Sequence, residues 1–468
     1  MIDFVNQHLP ALQVLLPLLG ALVTVISFNK RLAQIITIIV SITIFLVSFY
    51  SFLNIELNIY NFGNWHSSIG IEYKLVFFNK LLILFSNTSL LLLIFSQKLI
   101  HETVIVYIDN KRQNLFYSIL LFAHTGYIGI LSTNDIFNLY VFIEISSLSA
   151  YVLVAQGGNN RVVQGAFDYL IIGSIGATLI LIGIGFLLSC MGTLNITQLK
   201  LGAIDSNAKI IFTAGCFIVI GTMLKMALFP MHFWLRRVYA TAPPVILMYT
   251  SSISSVVGCC ILLKFFYICI DHPYLIAQIS SLVIPVTLVT ICLCSFLALN
   301  QSNLRHIAIY SSAISVGYII LLIFTLNDQE IILKFLCIDG INKISLFLII
   351  SQTESRNFSS NRFWLIFVVL TIICSAGLPL SAMFVLKLSI FEFFIIHDMY
   401  VALLIVTISS AISILYHYKI AQNLLMNNLS ANKQVHYHSS ENLVMILLIS
   451  LQVIAVIFCN SKLNWPIA

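Results

Sequence analysis

Five ionisable side chains stand deep inside long apolar runs of this sequence: Glu144, Lys225, Asp339, Lys343 and Lys387. A bare charge at such a position costs several kcal/mol, so each is paired, neutralised or functional. Glu144 lies about ten residues from either end of the run around "IFNLYVFIEISSLSAYVLVAQGG", near the middle of a helical span at 1.5 Å per residue. Lys225 precedes Pro230 by five residues in "FIVIGTMLKMALFPMHFWLRR". Proline removes a backbone hydrogen bond and breaks or kinks a helix. In a bilayer such breaks are tolerated where the backbone faces a cavity, and they mark ion paths. Burial favours the neutral amine of a lysine, whereas a neighbouring carboxylate favours the ammonium. A Glu–Lys pair on adjacent helices is therefore a proton switch if the carboxylate moves, and a static packing pair if it does not. Asp339 and Lys343, in "CIDGINKISLF", are four residues apart on one helix face and can bond directly. They read equally as a self-satisfied structural pair or as part of a conducting path. Lys387 follows Pro379 in "SAGLPLSAMFVLK" and repeats the proline-and-lysine design. Lys80, Asp168, Lys264, Lys334 and Glu392 fall near span ends, where long stems reach the interface and an aspartate suits a helix start.

The elements that position these residues follow from composition. The chain has 468 residues, 60% hydrophobic and 9% charged, with a mean hydropathy of +1.02. Soluble domains carry about 25% charged residues, so the sequence reads as a polytopic membrane protein. About fourteen runs approach the ~20 apolar residues that a bilayer span needs: 9–28, 33–53, 76–97, 115–132, 134–156, 166–189, 208–230, 243–265, 274–297, 305–326, 330–352, 363–392, 398–420 and 441–460. Runs of this length are helices, since barrel strands are about half as long and alternate in polarity. The first run lacks a basic leader and a small-residue cleavage site, so a retained helix is expected. The apolar stretch from Phe363 to Ile396 would reach ~50 Å as one straight helix, against a core of ~30 Å. A broken helix explains the excess.

Loop charge sets an expected orientation. Lys30 and Arg31, Lys111 and Arg112, Arg236 and Arg237, and Arg356 and Arg362 fall in alternate loops. The positive-inside rule makes those loops cytoplasmic and both termini external. Spans seven and twelve then run in opposite directions. Two broken, lysine-bearing helices of opposite direction suggest an inverted repeat. The expected organisation is residues 1–114 with spans one to three, 115–265 with spans four to eight, 274–420 with spans nine to thirteen, and 441–468 with span fourteen. The fold class is all-α, with inverted five-helix repeats and breaks in spans seven and twelve.

Other chemistry finds little support. Ten cysteines are scattered without a C-x-x-C pair, which argues against a disulfide framework or a structural metal. Neither a phosphate-binding glycine loop nor a haem or flavin motif occurs, so no cofactor is expected. The net charge of +6 is accounted for by the loops and is not a nucleic-acid signature.

Six stretches together carry a specific resemblance: "NLYVFIEISSLSAYVLVA", "GTLNITQL", "GTMLKMALFPMHFWLRRVYATAPP", "LRHIAIYSSAISVGYI", "DGINKISLFL" and "SAGLPLSAMFVLK". Over nearly its whole length the chain resembles the proton-conducting antiporter-like subunits shared by Mrp-type multisubunit cation/proton antiporters and respiratory complex I. "GTLNITQL", and Tyr239 between "FWL" and "APP", are more similar to the D-type Mrp subunits than to complex I subunits L, M or N. The resemblance implies fourteen helices in inverted repeats, with spans seven and twelve broken. It implies a bacterial inner (plasma) membrane location and other membrane subunits as partners. It also implies that Glu144 and Lys225 form the switch of a first half-channel, with Lys343 and Lys387 in a second. His232, in "FPMHFWL", matches the family; it reads equally as a proton donor or as a group that satisfies the freed backbone.

The sequence departs from that family at three central positions. Val256 stands where a linking lysine is usual, and Ser315 and Asp339 stand where histidines are common. Lys264 is eight residues beyond Val256, ~12 Å along the helix, and is a poor substitute. Either water and serines (Ser251, Ser252, Ser254, Ser255, Ser311, Ser312 and Ser315) carry the path, or the chain is a non-conducting structural paralogue. Three functions are thus expected in order: a subunit of a monovalent cation (Na⁺)/proton antiporter, a proton-pumping subunit of an NADH–quinone oxidoreductase-like complex, and a scaffold.

Overall fold

The computed structural model describes residues 2–27, 29–54, 58–109, 112–157, 160–203, 207–326, 328–354, 362–430 and 439–460. Within them the chain forms α1 (Ile2–Ile26), α2 (Lys30–Leu53), a hairpin of β1 (Asn58–Asn61) and β2 (Glu72–Leu75), α3 (Phe77–Phe95), α4 (Gln97–Thr103), α5 (Gln113–Ser132) and α6 (Ile136–Val154). There follow α7 (Asn160–Met191), α8 (Ile196–Ala203), α9 (Ala208–Lys225), α10 (Phe233–Thr241), α11 (Pro244–Cys269) and α12 (Pro273–Leu299). The last six are α13 (Leu304–Thr325), α14 (Gln329–Glu354), α15 (Arg362–Ala376), α16 (Ala382–Ile396), α17 (Tyr400–Ser430) and α18 (Ser439–Asn460). Among the described residues twelve helices are long and apolar enough to cross a membrane. Spans eleven and twelve expected from the sequence are α14, which carries Glu330, Lys334, Asp339 and Lys343, and the α15–α16 pair. Helices dominate because lipid offers no partner to a backbone N–H or C=O, and only a helix satisfies both within one segment.

Both interruptions fall in the expected spans. The seventh span stops at Lys225 and resumes at Phe233; the twelfth stops at Ala376 and resumes at Ala382. Side-chain caps start several helices: Asp135 Oδ1 accepts from Asn138 N at 2.6 Å before α6, and Ser381 Oγ from Phe384 N at 3.3 Å before α16. Such caps satisfy donors that the first helical turn leaves unpaired.

The chain clusters into two compact units, Met1–Leu91 with Tyr107–Met226 and Val256–Leu282, and Leu92–Val106 with Ala227–Ser255 and Val283–Ala468. In the first unit α7 and α9 cross closely through small residues. A Cβ on Gly221 would lie 2.5 Å from Gly176 O, and one on Gly183 would lie 2.8 Å from Ala214 O. Close approach through small residues is how helices associate in lipid, where burial gives no hydrophobic gain. The hairpin ties down the start of α6. Buried Glu72 accepts from Asn134 Nδ2 at 3.1 Å and from Asn195 Nδ2 at 2.9 Å. Asn195 belongs to "GTLNITQL", so that motif anchors the loop that precedes Glu144's helix. Two near-end lysines of this unit finish on helix-terminal carbonyls instead of reaching outward: Lys80 on Asn54 O at 2.6 Å, and Lys264 on Ile130 O at 2.6 Å and Thr133 O at 2.5 Å. Cations suit helix C-termini, where carbonyls are unpaired and the dipole is negative.

The second unit uses the same device. Arg305 Nη1 donates to Ala240 O at 2.7 Å and Ala242 O at 3.1 Å, while its Nε binds Glu354 Oε1 at 2.8 Å. Lys419 binds the Leu299 carbonyl at the end of α12. Lys334 pairs with Glu330 at 2.7 Å, one turn away on α14.

Candidate proton-transfer sites

In the first unit, Lys225 is the last residue of α9. Its position there follows from the sequence: Pro230 cannot donate to a helix, and the residue before a proline is pushed out of the helical region. Ala227 then turns at φ +57°, a left-handed conformation that costs a residue with a Cβ about 1–2 kcal/mol. The lysine ammonium thus sits at the negative end of the α9 dipole. Its stem passes Gly176, where an added Cβ would lie 3.3 Å from Lys225 Cγ, and its Nζ donates to Ser147 Oγ at 2.8 Å.

Ser147 stands one turn beyond Glu144 on α6, on the same face. Glu144 is half-buried and acts on Lys225 electrostatically. Among the described residues its carboxylate enters no ion pair within contact distance. Lys225 therefore bonds to Ser147, and Glu144 acts on it without the direct ion pair that residue types alone suggest. Tyr151 extends the face by one more turn, close enough to Ser147 and Glu144 to feel both. Gly173 makes room for it: a Cβ there would fall 1.8 Å from the Tyr151 hydroxyl. Ser147 and Tyr151 are invisible to a search for charge, because neutral hydroxyls inside a span carry none.

Within the second unit, the irregular segment before α10 finds a side-chain partner. Phe229 N donates to Thr290 Oγ1 on α12 at 3.0 Å. His232 stands at the start of α10 without a side-chain cap bond, its Nδ1 buried and unbonded, stacked between Phe229 and Phe233 at 5.8 and 4.5 Å.

The second unit gathers the remaining candidates around one cavity of about 40 Å³, lined by Asp339, Lys343, Lys387, His417, Ser315 and Tyr318 among others. That is room for about three waters at 10–15 Å³ each. Lys343 Nζ approaches Asp339 Oδ2 at 2.6 Å, and both side chains are buried. Lys387 is buried on α16 and faces back to the interruption, its Nζ 3.4 Å from Ala376 O, the last carbonyl of α15. Gly377 (φ +72°) lets it in, since a Cβ there would sit 3.1 Å from that Nζ. The ammonium also lies 5.2 Å above the Tyr318 ring, a favourable cation–π placement. Ser311, Ser312 and Ser315 of α13 reach this cavity. The four serines of α11 donate to carbonyls of their own helix, as do the three of α13. His417 is a functional candidate that the sequence reading missed: it lies inside the thirteenth apolar run, and an intramembrane histidine qualifies by the same rule that selects a lysine.

Fold and site together define a class: multi-pass helical membrane proteins with a lysine at each of two helix interruptions. The comparisons give the family. Residues 133–413 match the transmembrane family described as NADH:quinone oxidoreductase/Mrp antiporter, and the chain belongs to that family. The subunit N of NADH-quinone oxidoreductase from Desulforudis audaxviator is 36% identical over 214 residues, 45% of this chain and 42% of that one. The Staphylococcus epidermidis protein mnhD2, named provisionally as an antiporter subunit, is 27% identical over 432 residues, 87% and 83% of the two chains. The D-type subunit of the Na⁺/H⁺ antiporter of Alkalihalophilus pseudofirmus is 25% identical over 67% of this chain and 63% of its own length. Two solved structures share the fold. A chain of the archaeal membrane-bound sulfane sulfur reductase superposes with a TM-score of 0.86 at 22% identity, covering 96% of this chain and 94% of that one. A chain of the Mrp complex from Dietzia gives 0.81 at 18%, covering 97% and 94%.

Proposed function

We propose that this chain is the D-type subunit of a multisubunit Na⁺/proton antiporter of a bacterial plasma membrane, and that it carries protons along two interior paths. The observation that carries the reading is the placement of Lys225 and Lys387 at helix interruptions, one lysine in each unit. Spans four to eight and nine to thirteen are, in this reading, inverted repeats, with both termini on the outer side. The first path is Glu144, Ser147 and Lys225. When Glu144 is charged and near, Lys225 holds its proton; when the carboxylate is neutralised or withdrawn, burial favours the neutral amine and the proton leaves. The second path is the cavity of Asp339, Lys343 and Lys387, with the serines and water bridging the gap that Ser315 leaves in place of a histidine. His232 delivers protons to this route, its Nδ1 being free to accept one. Partners are other membrane subunits, and the exchanged species are protons and monovalent cations.

Replacing Glu144 by Gln keeps the shape and removes the charge. In vesicles holding the whole assembly, E144Q is expected to abolish Na⁺-driven proton exchange while the chain still inserts and assembles. Wild-type exchange by E144Q would refute the role and leave the scaffold reading. A second reading, a proton-carrying subunit of a redox-driven complex, is favoured by the identity to subunit N and by the superposition on a respiratory chain. The redox groups would then belong to partners.

A further inference from the structure

We infer that His417 of α17 is a proton-carrying residue of the second path, exchanging a proton with Lys387 through water in the cavity they share. The inference rests on the conducting reading above and adds a residue to it. His417 is 1% exposed and lines the cavity together with Lys387. Its Nδ1 lies 2.8 Å from the Ser413 carbonyl. A carbonyl only accepts, so Nδ1 carries the hydrogen and Nε2 keeps its lone pair. Nε2 is buried and has no hydrogen-bond partner. A ring fixed in one tautomer, with an unbonded basic nitrogen and a place in the wall of a cavity large enough for water, is prepared to accept a proton.

The route to that nitrogen is short in chemical terms. The Ala376 carbonyl at the helix interruption lies 3.4 Å from Lys387 Nζ and 3.0 Å from Ser413 Oγ, whose hydroxyl also has the Ser410 carbonyl within reach at 2.6 Å. Lys387 and the segment that holds His417 therefore meet at one backbone oxygen. The Lys387 ammonium gives a proton to a cavity water, that water gives one to His417 Nε2, and the lysine is left as a neutral amine beside an imidazolium. The carboxylate of Asp339, paired with Lys343, is the one anionic group among the residues lining this cavity. The other titratable groups turned to this region are the phenols of Tyr318 on α13 and Tyr416 on α17, with Cys294 of α12 near Tyr416. None of these is a neutral base near physiological pH, so His417 is the group suited to receive the proton.

The test uses the complete assembly in everted vesicles, with Na⁺-driven dissipation of a pH gradient read across pH 6–9. E144Q serves as the reference for the conducting reading. His417→Gln keeps a hydrogen-bonding side chain but cannot hold a proton, and is expected to lower exchange about tenfold or more, the scale of general acid–base groups. His417→Lys can hold a proton and is expected to restore exchange with the optimum moved to higher pH, because a lysine gives up its proton only there. If E144Q is inactive and His417→Gln exchanges at the native rate and pH profile, the inference fails and the conducting reading stands. If E144Q is fully active, the conducting reading fails and takes this one with it. Should His417→Gln not assemble, an assembled His417→Lys with an unshifted pH profile overturns the inference by itself.

Discussion

Ser147 shows how a single hydroxyl changes the meaning of a charged pair. Lysine and glutamate in direct contact would hold each other, and breaking a buried pair costs about 3–5 kcal/mol. With Ser147 taking the Lys225 hydrogen bond at 2.8 Å, the carboxylate influences the ammonium without locking it. A hydrogen bond to a charged group contributes about 1.5–3 kcal/mol. Ser147→Ala is therefore expected to slow exchange several-fold to about a hundredfold, with the chain still folded, as read in the same vesicle assay. Native rates would make Ser147 a bystander. Lys264, by contrast, is committed to two carbonyls at the end of α5. That commitment explains why it does not take the place of the lysine absent at Val256.

At the scale of elements, the interruptions are where function and backbone cost coincide. Ala227 and Leu380 both carry a Cβ in the left-handed region, at φ +57° and +81°. Such conformations persist only where the surroundings over-determine them, and they gather at functional sites. The α7–α9 crossing supplies that support in the first unit. Gly221→Val would drive a side chain into the Gly176 carbonyl. Overpacking of this kind costs about 1–3 kcal/mol, and here the obstacle is backbone that cannot rotate away. The expected outcome is a lower yield of detergent-stable chain and a thermal midpoint several degrees below wild type, measured by a fluorescence melting assay. An unchanged midpoint would show that the two helices part easily. The hairpin at Glu72 works at the same level, since its two amide partners fix the loops from which α6 and α8 start.

The whole molecule offers two polar clusters of different make. The first is a line of side chains on α6 answered by one lysine; the second is a small cavity with an ion pair, a second lysine and a histidine. The broad apolar surfaces suit lipid and neighbouring membrane subunits. Tagging the chain in native membranes, extracting it in mild detergent and identifying its companions by mass spectrometry is expected to recover small hydrophobic antiporter subunits. Flavin- or iron–sulfur-bearing companions would instead assign the chain to a redox-driven complex.

The amino-acid sequence by itself determined the class and the interruptions. Composition forces helices in lipid, and Pro230 and Pro379 stand within the two interruptions. It also marked Glu144, Lys225, Asp339, Lys343 and Lys387, because charge inside an apolar run is costly enough to be visible one residue at a time. Only the tertiary structure decided which of these meet. Lys225 meets Ser147 because the α7–α9 crossing carries the end of α9 to α6. Lys387 turns back to Ala376 O because Gly377 leaves the space. His417 joins the cavity because packing sets α17 beside α16 and α13. Those are contacts between residues far apart in the chain, made by helix packing, and no local pattern of types or spacing encodes them.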